Sequence, residues 1–413
     1  MTGFRVKGSD IAAKYTANKM EFDESTYCYS SEQKEKEFIA SQFPTQELKQ
    51  SYREYREEWH RRADQCEAGE KPLAVICELV SSCNLKCEMC YTITEEFQEA
   101  VVGDQRMMPW DMVVKLVDEC AEIGVPSMLF SWRGESTMYR VKGPDGKPRD
   151  FADALAYARE KGILEVTSLT NGRIMSPGLM EKIVKAQPNW LSFSIDGLGE
   201  DYGKVRKAVK TDKGCDPFEL VAQNIKNIVQ LRDRLGYSRP QIRTNTIFPA
   251  IANDPGEYRE VMEALGVGLV TINEILDFRG LELPDDDILD NWMCMYPFQR
   301  LVVSANGTVM ACPGAHNEED DVALGKIPGG IKKRVKVNGS TKEIEYPEGT
   351  LVEAWNSEKL IRVRELHAAN RRKEIWACKH CRHGAKKYGA KWLPDDWDMG
   401  EMQWKSKRRF RNN

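Results

Sequence analysis

Three cysteines, Cys83, Cys87 and Cys90, stand in the segment SSCNLKCEMCY with the spacing C-x3-C-x2-C. Three thiolates on one short loop can hold three corners of a cubic iron–sulfur cluster and leave the fourth iron without a protein ligand, and an open iron is a reactive one. Zinc is the competing metal, but a closed structural zinc site takes four ligands and no His or further Cys follows before Cys120. A second set lies near the other end of the chain. Cys294 and Cys312 are spaced C-x12-G-x4-C around Gly307, and Cys378 and Cys381 form C-x2-C. Four such ligands complete the shell of a [4Fe-4S] cluster, and on ligand type a zinc ribbon fits them equally well. His380 and His383 flank the last pair as alternative ligands and read as exposed. Cys28, Cys66, Cys77, Cys120 and Cys215 are given no role, because an isolated cysteine is usually a small buried apolar side chain.

The elements that must position these residues follow from the apolar pattern. Strand candidates are LAVICELV (73–80), SMLFSW (127–132), LEVTSLT (164–170), WLSFSID (190–196), QIRTNTIF (241–248) and GLVTINEIL (268–276). Amphipathic stretches such as MVVKLVDECAEIG separate them, the alternation of strand–helix units on a parallel sheet. Six units fall short of the common eight-unit barrel, so the expected fold is α/β, a partial (β/α)6 barrel with its chemistry at the C-terminal strand ends. This barrel spans residues 71–280. Residues 1–70 form an N-terminal helical arm, with a helix capped by Thr45 whose stripe of Leu48, Tyr52, Tyr55 and Trp59 either docks on the barrel or meets substrate. Residues 281–390 form a small α+β domain. It holds an Asn-Gly hairpin in RLVVSANGTVMAC, a second hairpin in VKVNGSTKEIEY and a helix over LVEAWNSEKLIRVRELHAANRRK. Residues 391–413 are a basic tail, read as solvated.

The 413 residues carry 60 Lys and Arg against 64 Asp and Glu, a net charge of −4 that argues against nucleic acid as a partner. No run reaches the roughly 18 apolar residues of a membrane span. The start MTGFRVKGSD lacks a secretory pattern, so the expected location is the cytoplasm and no membrane partner is expected.

CNLKCEMCY after a strand, with Tyr91 following the third cysteine, resembles the signature of the radical S-adenosylmethionine superfamily. SWRGES ends the second strand and resembles the family's Gly-Gly-Glu-Pro segment; Arg133 and Ser136 replace its first Gly and its Pro, while Gly134 and Glu135 remain. LTNG, with Asn171 and Gly172, ends the third strand and SFSIDG the fourth. The resemblance implies cofactor contacts from Tyr91, Gly134, Glu135, Asn171, from Ser194 at the ribose and from Arg206, twelve residues on, at the carboxylate. It covers roughly residues 73–276, and four matches at successive strand ends share one mouth.

The resemblance implies that the open iron of the first [4Fe-4S] cluster chelates the amino and carboxylate groups of S-adenosyl-L-methionine. An electron from a donor such as flavodoxin or ferredoxin then breaks a carbon–sulfur bond, and the 5′-deoxyadenosyl radical takes hydrogen from an unactivated carbon. The second cysteine set resembles the twitch domain, a shortened SPASM domain, which implies an auxiliary [4Fe-4S] cluster. An oxidoreductase acting on a small hydroxylated molecule, sugar- or aminocyclitol-like, is the leading expectation. Epimerisation of such a molecule, or modification of a ribosomal peptide, are the enzymatic alternatives, and a zinc-bearing scaffold is the non-enzymatic one. The terminal Arg411-Asn412-Asn413 lacks the Gly-Gly of the twitch-bearing cyclase of molybdenum-cofactor synthesis, which is therefore set aside. Candidates for handling a proton at the substrate carbon are Glu274, Arg279 and His316, chosen by position.

Overall fold

The computed structural model describes residues 31–87, 89–95, 97–98, 105–209, 214–251, 254–273, 293–315, 318, 321–327, 333–337, 340–344, 349–379 and 381. The first strand, β1 (Ala74–Cys77), is buried at every position, as expected of a parallel strand covered on both faces. It pairs in parallel with β2 (Ser127–Leu129), Ala74 opposite Ser127. A small hairpin, β3 (Arg140–Lys142) and β4 (Pro148–Asp150), intervenes before β5 (Glu165–Thr170), β6 (Trp190–Ser194), β7 (Gln241–Ile247) and β8 (Leu269–Asn273). Each of these last four pairs in parallel with its predecessor in the sheet, so β1, β2, β5, β6, β7 and β8 are the six strands expected from the sequence.

The crossover helices begin where local chemistry dictates. Those at 177–186, 217–234 and 255–264 each open with a capping Ser176, Asp216 or Asp254 followed directly by proline, whose missing N–H and fixed φ suit the first helical position. The helix Trp110–Glu122 turns Met112, Val113, Leu116, Val117 and Cys120 onto the sheet as one apolar stripe.

The C-terminal unit extends the barrel sheet. Strand β9 (Arg300–Val303) pairs in parallel with the free flank of β1, Ala74 opposite Arg300. Then β10 (Thr308–Met310) and β11 (Ala323–Lys326) follow antiparallel, giving one nine-stranded sheet ordered β11-β10-β9-β1-β2-β5-β6-β7-β8. The expected Asn-Gly turn joins β9 to β10, with Gly307 at φ +85°. The second expected hairpin is β12 (Lys333–Val337) with β13 (Ser340–Ile344). The stretch read as one helix is two, Leu351–Trp355 and Glu358–Ala368, because Ser357 caps the second by accepting from the Leu360 N–H and so ends the first.

The N-terminal helix Gln46–Gln65 is capped by Thr45 and buries Tyr52, Tyr55 and Trp59, whereas Leu48 is 38% exposed. Its contacts fall at the starts of strands: Tyr55 donates to Glu165 and Gln299 donates to the Trp59 carbonyl. This face is opposite the C-terminal strand ends, so the stripe docks the arm away from the mouth. No described helix is long and apolar enough to cross a membrane.

Candidate cluster and cofactor site

The loop that leaves β1 is pinned along both edges. Val80 bridges Met107 and the Ser81 N–H donates to the Arg106 carbonyl at 2.9 Å; farther along, Leu85 bridges Ala208 and the Lys86 N–H donates to Lys207 at 2.7 Å. Between these anchors the chain turns at the cysteines. The Leu85 N–H donates to Cys83 Sγ at 3.4 Å, the Cys90 N–H donates to the Cys87 carbonyl at 2.9 Å, and Cys90 Sγ lies 3.0 Å from Thr92 Oγ1. Burial pushes the Cys83 and Cys87 thiols up to about 12, with the Arg206 guanidinium opposing the rise at Cys87. Thiols so placed ionise when a metal replaces their protons, and the three donors on one anchored loop fit a cluster that brings its own positive charge.

Gly134 has a steric reason to be glycine. A Cβ there would sit 2.1 Å from the Val80 carbonyl oxygen and 2.7 Å from that of Ser82, because the end of β2 lies directly against the cysteine loop. The Glu135 N–H donates to the same Ser82 carbonyl at 3.0 Å. Gly134→Ala is therefore expected to push the loop off its seat at a cost of about 1–3 kcal/mol. Iron at the first site should fall while the second site keeps its share, read by iron analysis and equilibrium binding of S-adenosylmethionine.

The Glu135 carboxylate accepts from Thr137 N and Oγ1 at 3.1 and 2.7 Å, from Thr170 Oγ1 at 2.6 Å and from the Asn171 N–H at 2.7 Å. Four donors fill a carboxylate's usual capacity, so Glu135 locks the ends of β2 and β5 together. Asn171 Nδ2 donates to Asn84 Oδ1 at 2.8 Å and lies 3.8 Å from Cys83 Sγ. Ser194, ending β6, donates to Asn245 Oδ1 at 3.2 Å. Tyr91 is buried with its ring edge-on to Phe97. Arg206 is gripped by Asp196, whose Oδ2 accepts from Nε at 2.7 Å and from Nη2 at 2.6 Å, while Nη1 stands 4.0 Å from Cys87 Sγ. Burial disfavours the guanidinium charge and Asp196 outweighs it, so Arg206 stays cationic beside the first cysteine set. Asn171 and Arg206 thus reach the cysteine loop directly, Gly134 and Glu135 support it, and Ser194 sits one strand farther along.

Arg133, the residue that departs from the Gly-Gly-Glu-Pro pattern, is the centre of a buried ion triad. Its Nε and Nη2 donate to Glu78 at 2.8 and 2.7 Å, Nη2 also donates to Glu318 at 2.9 Å, and the three side chains are wholly excluded from solvent. Trp132 lies under the guanidinium, 4.0 Å from ring to Arg133 Cζ, and its Nε1 donates to the Pro313 carbonyl at 2.8 Å. The cofactor-side segment is thereby tied to the residues that follow Cys312.

Cys294, Cys312, Cys378 and Cys381 line one pocket together with His367 and Arg372. Burial, then the neighbouring Cys312, Cys381 and Cys294, raises the Cys378 thiol well above its ordinary value. Among the described residues no three His, Cys, Asp or Glu side chains gather tightly enough to hold a single metal ion. Four cysteines lining one pocket provide the closed set of thiolate donors that fits a [4Fe-4S] cluster. His367 is buried; burial and then Arg372 lower its pKa to about 4, so its ring is neutral.

The proton-handling candidates Glu274, Arg279 and His316 lie outside the described residues, as do His380, His383, Cys28 and the basic tail. Sequence reasoning missed Asp196, the buried triad and His367. Leu360, Val363 and His367 share one helical face at spacings of three and four, a pattern that could have pointed to a histidine turned inward.

Residues 78–234 match the Radical SAM superfamily and residues 294–382 match the SPASM iron-sulfur cluster-binding domain. The Fe-coproporphyrin III synthase of Methanosarcina barkeri is 31% identical over 183 residues, 40% of this chain and 41% of that protein. The tungsten-containing aldehyde ferredoxin oxidoreductase cofactor-modifying protein of Pyrococcus furiosus is 24% identical over 245 residues, 57% of this chain and 61% of that one. The chain thus spans less than two thirds of the length of these relatives. A solved structure, anSMEcpe with bound AdoMet, superposes with TM-score 0.49 and 14% identity over 75% of this chain and 85% of that one.

Proposed function

We propose, for a chain that belongs to the radical SAM superfamily and carries a C-terminal iron–sulfur cluster-binding domain, that it takes a hydrogen atom from a small hydroxylated substrate, sugar- or aminocyclitol-like, and oxidises the carbon left behind. The observation that carries this reading is the closed set of four cysteines, joined to the cofactor segment through Trp132–Pro313 and Arg133–Glu318. When bound, the first cluster and S-adenosylmethionine supply the radical chemistry that breaks an unactivated C–H bond.

The chain's residues do the rest. Cys83, Cys87 and Cys90 leave one iron corner open, Gly134 and Glu135 hold the neighbouring strand end against that loop, and Arg206 offers a fixed cation for the cofactor carboxylate. Four thiolates at the second site leave no open iron, which favours an electron-accepting role there over substrate binding. Flavodoxin or ferredoxin is the proposed electron donor. The cytoplasm is the proposed compartment, because cysteines that serve as cluster ligands need reducing surroundings. A second reading, chemistry on a tetrapyrrole, is favoured by the 31% identity to Fe-coproporphyrin III synthase.

Anaerobic turnover with candidate substrates tests the proposal. The product should be lighter by two hydrogens, and deuterium on the attacked carbon should appear in 5′-deoxyadenosine. The double variant Cys378→Ala/Cys381→Ala should still cleave the cofactor and stall before oxidised product. A product of unchanged mass that gains one solvent deuterium at carbon would make the enzyme an epimerase and overturn the electron-accepting role.

A further inference from the structure

His367 is 1% exposed and touches two residues of the second cysteine set. The Cys294 backbone N–H donates to its Nδ1 at 3.3 Å. A backbone N–H only donates, so Nδ1 presents a lone pair and the ring's proton sits on Nε2. That Nε2 lies 3.3 Å from Cys378 Sγ. The imidazole therefore spans the pocket wall from one cysteine's backbone to another's sulfur, with its direction of donation fixed by the first contact.

We infer that His367 is a positioning residue that sets the reduction potential of the auxiliary cluster through an Nε2–H hydrogen bond to the Cys378 thiolate. This rests on the reading of Cys378 as a cluster ligand. An added electron increases the negative charge on the ligand sulfurs, and a donor aimed at one of them stabilises the reduced state more than the oxidised one. The hydrogen bond makes the cluster easier to reduce, which is the direction an acceptor of substrate electrons requires. Arg372, buried in the same pocket, adds a positive charge that acts in the same sense.

The test uses the full chain carrying Cys83→Ala, Cys87→Ala and Cys90→Ala, so that only the second site is loaded. Metal analysis comes first: zinc in place of iron there would overturn the cluster assignment itself, separately from the role of His367. With iron present, a redox titration followed by electron paramagnetic resonance should show His367→Leu harder to reduce by about tenfold in the equilibrium constant, about 59 mV for a one-electron couple. His367→Gln, which keeps an N–H at similar reach, should recover most of the shift. Pulsed measurements on protein labelled with 15N-histidine should show a weak nitrogen coupling that disappears in His367→Gln. This readout needs no leucine variant and decides the matter if that variant fails to assemble a cluster. An unchanged potential in His367→Leu with its iron retained, or a strong coupling from nitrogen bound directly to iron, would overturn the proposal.

Discussion

Replacing Cys83, Cys87 and Cys90 together by alanine is expected to halve the iron of the anaerobically reconstituted protein, from about eight atoms per chain to about four, and to abolish S-adenosylmethionine cleavage. The two cysteine sets draw on separate ligands, so removing the first leaves the second shell complete. The replaced side chains lie on a loop held by backbone hydrogen bonds to residues 106 and 207–209, which the substitutions leave in place. Loss of activity would therefore report on chemistry. Iron analysis and chromatography of 5′-deoxyadenosine give the two readouts, and full cleavage by the triple variant would sink the assignment of the first site.

Arg133→Ala should be the most damaging single substitution outside the cysteines. Glu78 and Glu318 would then stay buried without the guanidinium that bridges them, and removing one partner of a buried ionic group typically costs about 3–5 kcal/mol. In a chain of this size that corresponds to a fall in Tm of roughly 3–6 °C. The combined variant Arg133→Met, Glu78→Leu and Glu318→Leu should recover much of the loss, because it removes the desolvated charges together. A thermal scan of the three proteins at equal cluster loading checks both statements; an Arg133→Ala protein as stable as the parent would refute the account of the triad.

What the sequence made legible were features written locally. The barrel strands are short apolar or β-branched runs, three of the helices between them are marked by a capping Ser or Asp followed directly by proline, and each cysteine set is a matter of spacing along one or two segments. The parallel pairing of β9 with β1 was not legible, because RLVV carries the same apolar pattern whether it lies beside β1 or stands in a separate sheet. Glu78, Arg133 and Glu318 each read as an ordinary charged residue until the fold brings three distant segments together. The break at Ser357 was hidden by helical periodicity on both sides of it, which weighs residue spacing and overlooks a hydroxyl in position to cap. His367 was passed over for His380 and His383, which sit beside cysteines in the chain, although the fold puts the more distant histidine against Cys378.

Strand β1 is hydrogen-bonded to β2 on one flank and to β9 on the other. Swinging the C-terminal unit away from the barrel would strip a full row of backbone pairing from a buried strand, so no hinge can operate along this line. The spacing of the two cysteine sets is consequently built in when the chain folds, so an electron passing between them under the proposed function would cross the same distance with or without substrate.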